Sequence, residues 1–180
     1  MKKSLILLLL ITCTMTVYGQ RMYKNQSSLQ FSYGIIDGNY SAGTIGLQYS
    51  MYKNIGQVIA GVEYSFLKSK YELEDIPYSQ FIFSAGYLFR IVSNYKRSIV
   101  FSAGLCASGA YESIKSNLGD GKVISEESKF LYGIIPQISL DFFLSRKMAL
   151  ALLVKEQLYF NSSISTNHFF AGFGIKYLIN

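Results

Sequence analysis

The chain has 180 residues, of which 50% are hydrophobic and 16% aromatic, and its formal net charge is +6. This mild basic surplus comes without runs of Lys and Arg interleaved with aromatic residues, so direct nucleic-acid binding is not expected. After the first 19 residues no apolar stretch reaches the roughly 20 residues that a membrane-spanning helix needs, which excludes a helical membrane protein.

The N-terminus has the pattern of an export signal. Lys2 and Lys3 precede an apolar run, Leu5 to Ile11, that is too short to cross a bilayer as a helix. We expect cleavage between Gly19 and Gln20, because a small residue stands at the last position before the cut.

Cleavage there divides the chain into a signal peptide, residues 1–19, and one domain, residues 20–180, with 15 basic and 11 acidic residues. The alternative is a lipoprotein, because Leu10-Ile11-Thr12-Cys13 resembles a lipobox. After cleavage only Cys106 remains, so no internal disulfide can form, and an apolar setting between Leu and Ala favours simple packing.

Apolar and polar residues then alternate with a period of two in eight segments, which is typical of β-strands with one apolar face. In the sixth segment Pro136 cannot donate to a ladder, which predicts a bulge. In the seventh, the alternation turns Glu156 outward and predicts a bulge or a strand end near the rim. The predicted strands are 27–35, 42–52, 57–69, 78–91, 99–111, 129–143, 148–160 and 168–180.

These segments predict an all-β fold: an eight-stranded antiparallel up-and-down transmembrane β-barrel of the outer membrane. A membrane protein without helical spans must pair its backbone groups in a closed barrel, so the first and last strands should meet. Short and long connections alternate, as in barrels with short periplasmic turns, which places both termini in the periplasm. A soluble β-sandwich would show the same alternation.

The connections carry no clear chemistry. The acidic stretch Glu72 to Pro77 is expected to be a solvated loop rather than a cation site. The only histidine, His168, is expected at the rim of the barrel, without a second metal ligand or a nucleophile. We therefore predict no enzyme activity, no cofactor and no metal.

Charged residues on the polar faces predict two layers of ion pairs inside the barrel. Glu63 and Lys155 both lie midway along their strands, whereas Arg90 and Asp141 both lie near the periplasmic end. We expect Glu63 to pair with Lys155 and Arg90 with Asp141, because charges are excluded from the lipid face. An interior filled in this way would leave no open pore.

The chain also resembles a known family, the TraO family of conjugative-transposon transfer proteins of Bacteroides-type bacteria. The resemblance implies a structural envelope component of a mating apparatus, with outer-membrane lipid and other conjugation proteins as partners and no enzyme activity. The alternatives are a stand-alone porin-like or adhesive barrel, and a barrel enzyme acting on envelope lipids. The matching residues are Gln20-Arg21, Gly86-Tyr87, Gly104-Leu105, Gly109-Ala110-Tyr111-Glu112, Asp120-Gly121, Ser128-Lys129-Phe130-Leu131-Tyr132-Gly133 and Ala171-Gly172-Phe173-Gly174-Ile175-Lys176-Tyr177.

Overall fold

The computed structural model of the protein describes residues 25–37, 39–71, 74–95, 97–114, 128–162 and 166–179. The predicted signal peptide, its cleavage site at Gly19 and Gln20, and the alternative lipid attachment at Cys13 lie outside these residues. In the described part, no helix is long and apolar enough to cross a membrane. The strands are β1 (Ser27–Ile36), β2 (Asn39–Tyr52), β3 (Gly56–Tyr71), β4 (Glu74–Ser93), β5 (Ile99–Ile114), β6 (Ser128–Phe143), β7 (Met148–Tyr159) and β8 (Asn167–Ile179).

The eight strands form one closed antiparallel barrel in chain order. Each strand pairs with its neighbours in sequence, and β8 returns to β1 in a ladder that runs from Ser27–Ile179 to Ile36–Phe170. Closure pairs the backbone groups that an open sheet would leave free at its two edges. The prediction of an eight-stranded up-and-down barrel, closed by the first and last strands, is confirmed.

The alternation in the sequence separates the two faces of the barrel wall. On β8, Phe173, Ile175 and Tyr177 are about half exposed on the outside, whereas Phe170 and Lys176 are fully buried inside. Exposed large apolar side chains recur on all eight strands and form a continuous outer band. In a transmembrane barrel this band faces the lipid chains, and the inner side chains fill the lumen.

One end of the barrel carries the short connections 53–55, 94–98 and 144–147, and residues 25 and 179 lie at this end as well. At the other end the predicted acidic loop 72–77 was mostly wrong, because β3 and β4 continue their pairing up to Tyr71–Glu74. A hairpin ladder needs only backbone pairing to continue, so it extends past the point where apolar alternation ends. Most of the predicted long loop between β5 and β6 lies at residues 115–127, outside the described part.

Pro136 introduces no bulge into β6, so that prediction was wrong. The β5–β6 ladder runs through Pro136, and the register of β6 with β7 is the same before and after it. The proline lacks an N–H, and accordingly Ile135 and Pro136 drop out of the β6–β7 ladder alone. Glu156 likewise lies in a regular part of β7, close to the strand end at Tyr159.

Candidate functional site in the barrel interior

A buried ion pair crosses the middle of the barrel. Nζ of Lys155 on β7 lies 2.5 Å from Oε2 of Glu63 on β3, and the two side chains are only 3% and 8% exposed. The Lys155 ammonium also lies 4.3 Å from the centre of the Phe170 ring, a cation–π contact. The structure thus brings together the two residues that the sequence predicts to pair.

Inward glycines make room for the long side chains of the interior. Gly46 on β2 is the register partner of Glu63, and a Cβ added at Gly46 would lie 3.0 Å from Cγ of Glu63. On β8, a Cβ added at Gly174 would lie 2.8 Å from Nε2 of Gln30. Both distances are shorter than ordinary van der Waals contacts, so the glycines are required by the neighbouring side chains.

A second ion pair lies near the end of the barrel that carries the termini. Nζ of Lys176 lies 2.7 Å from Oδ2 of Asp141, and both side chains are almost fully buried. The Tyr52 hydroxyl donates to the same Asp141 oxygen at 3.3 Å, and the Ser139 hydroxyl donates to the other oxygen at 2.7 Å. These hydrogen bonds supply the partners that a buried carboxylate needs in addition to its cation.

The predicted pair between Arg90 and Asp141 does not form. The Arg90 guanidinium donates instead to the backbone carbonyl of Asn54 in the β2–β3 turn, and the Arg90 N–H donates to the carbonyl of Ile55. The β4–β5 register also shifts between Arg90 and Val92, so Arg90 leaves the regular strand geometry on which the prediction rested. Lys176 is the cation that reaches Asp141.

A third polar group occupies the opposite end of the interior. Gln80 Nε2 on β4 donates to Oε2 of Glu112 on β5 at 2.9 Å. His168 is buried rather than exposed at the rim, with Nδ1 3.0 Å from Oδ2 of Asp37 and Nε2 3.3 Å from the Tyr78 hydroxyl. The sequence analysis missed Gln80 and Glu112 as interior partners, although the alternation in β4 and β5 places both on the inner face.

This arrangement fills and cross-links the lumen. An eight-stranded barrel is just wide enough for its side chains to occupy the interior, and here opposite charges from distant strands meet inside it. Cys106 is buried in the wall. In the part of the chain that the structure describes, no group of three His, Cys, Asp or Glu residues could hold a metal ion.

Comparisons with known proteins give one family and several structures of the same fold. The model of a family described as conjugative transposon protein TraO matches residues 16–179. Ail, the attachment invasion locus protein of Yersinia pestis, has a TM-score of 0.56 at 16% identity, over 87% of this chain and 100% of that one. Neisserial surface protein A has a TM-score of 0.57 at 10% identity, over 84% and 94%. At these identities the likeness is one of fold. A comparison with curated proteins finds no match.

Proposed function

The chain belongs to the TraO family of conjugative transposon proteins, and from this membership we propose that it is a structural envelope component of the DNA-transfer apparatus, embedded in the outer membrane. Its export by a signal peptide and the periplasmic position of both termini are parts of the same proposal. The observation that carries it is the family match, which extends over nearly the whole barrel.

The apolar outer band supports the membrane location. Large apolar side chains are exposed on every strand, an arrangement that would be costly in water and is favourable in lipid. The short turns at the end that carries the termini match the periplasmic side of outer-membrane barrels.

The filled interior indicates an anchor rather than a passage for DNA. The Glu63–Lys155 pair closes the middle of the lumen, and the Asp141–Lys176 pair closes one end. An eight-stranded barrel has no space for a polymer beside such side chains. The transferred DNA would therefore pass through other components, to which this barrel gives a fixed position in the membrane.

Transfer frequency tests the proposal directly. An in-frame deletion of the gene in donor cells should sharply lower or abolish transfer of the element, and the chain expressed in trans should restore it. Unchanged transfer in the deletion strain would contradict the proposal. That result would favour a stand-alone porin-like or adhesive barrel, whose gene need not lie among transfer genes.

A further inference from the structure

One acidic residue breaks the pattern of the outer face. The alternation in β7 places Glu156 outward together with Val154, while Lys155 and Gln157 between and beyond them are buried inside. Among the strand residues whose side chains the structure describes, Glu156 is the one charged residue on the outside. The others, Glu63, Arg90, Glu112, Lys129, Asp141, Lys155, His168 and Lys176, alternate with the exposed apolar set and lie on the inner face.

The outward neighbours of Glu156 in the wall are mostly apolar. Its register partner on β8 is Phe169, which is half exposed, and Val154 beside it pairs with Ala171. On β6, Pro136 lies opposite Glu156, between the Ile134–Leu158 and Gln137–Lys155 pairs. A carboxylate that faces lipid between such residues is unfavourable unless another group compensates its charge.

Within the protein, the compensation for Glu156 is small. Nδ2 of Asn167 donates to Oε1 of Glu156 at 3.2 Å, a neutral amide donor that brings no opposite charge. A carboxylate offers about four acceptor positions, so the geometry leaves room for a further donor approaching from the outside. Pro136 and Ala171 beside it have short side chains, which lets a second backbone come close to the wall.

We propose that the β6–β8 face around Glu156 is the contact surface for another protein in the membrane, which presents a Lys or Arg side chain to the Glu156 carboxylate. This inference rests on the proposed function, since the partner would be a membrane-embedded component of the transfer apparatus. A second copy of the chain fits less well, because no Lys or Arg lies on the described outer faces of its strands. Charge complementarity therefore selects a different protein as the occupant.

Site-specific photocrosslinking in donor cells that carry the whole element tests this contact. A benzophenone amino acid replaces Leu158, next to Glu156, or Leu47 on β2 as the control on another side of the barrel. We expect one protein adduct from position 158 and none from position 47, with a Lys or Arg in the crosslinked peptide. In the Glu156→Gln and Glu156→Lys backgrounds the adduct should fall roughly tenfold or more.

The matched control is Leu152→Gln, which adds an amide to the outer face of β7 away from Glu156 and should leave the adduct unchanged. Heat-modifiable gel mobility shows that each variant is folded, and Glu156→Gln carries the test if Glu156→Lys does not fold. Adducts to lipid alone, or a protein adduct that persists in both Glu156 variants, would overturn the inference. A deletion strain with normal transfer would instead contradict the proposed function, so the two failures are distinguishable.

Discussion

At the scale of residues, the interior ion pairs hold distant strands together. Breaking a buried pair by removing one partner leaves an uncompensated charge and typically costs about 3–5 kcal/mol. We therefore expect Glu63→Gln or Lys155→Met to lower the free energy of unfolding by about that amount. Replacing both residues by Leu and Met should recover most of the loss. Urea unfolding of the refolded protein in detergent measures this, with Lys147→Met in an exposed turn as the control.

The partner of Asp141 gives a second test at this scale. Lys176 is buried against Asp141, whereas Arg90 reaches a turn carbonyl, so Lys176→Met should destabilise the barrel far more than Arg90→Met. Urea unfolding of the two variants in the same detergent gives the comparison. An equal or larger loss for Arg90→Met would mean that the pair predicted from the sequence, Arg90 with Asp141, forms after all.

At the scale of elements, two glycines mark where β4 and β5 come closest. A Cβ added at Gly104 would collide with the carbonyl oxygen of Tyr87, and one added at Gly86 would collide with that of Leu105. Gly104→Ala should therefore lower the free energy of unfolding by roughly 1–3 kcal/mol, the usual cost of overpacking. Gly61→Ala is the control, because its added Cβ would meet its nearest atom only at 3.1 Å. Urea midpoints that fall equally would contradict this close approach.

The sequence predicts the existence of these elements better than their ends or partners. Alternation located all eight strands, because one face of each meets lipid. It could not show that the β3–β4 ladder continues past Ser69, since backbone pairing there needs no apolar side chain. It also could not choose between Arg90 and Lys176 for Asp141, because that choice depends on the register shift at Arg90.

At the scale of the whole molecule, closure makes the barrel a single unit. The β1–β8 ladder joins the two ends of the described chain, so no strand edge remains free along the wall from Ser27 to Ile36. Such a closed barrel should stay folded in cold detergent and unfold on heating. We therefore expect a shift in gel mobility on heating and recovery of the protein in the outer-membrane fraction. Soluble periplasmic protein without such a shift would favour a sandwich.

The filled lumen is the property on which the proposed anchoring role depends, and conductance measures it most directly. Purified protein reconstituted in planar bilayers should give no current above that of the bilayer alone, because Glu63 and Lys155 occupy the middle of the lumen. A larger barrel with a known open channel, reconstituted in the same way, is the positive control. Stable single-channel steps from the wild-type protein would contradict a closed interior and would favour a porin-like role.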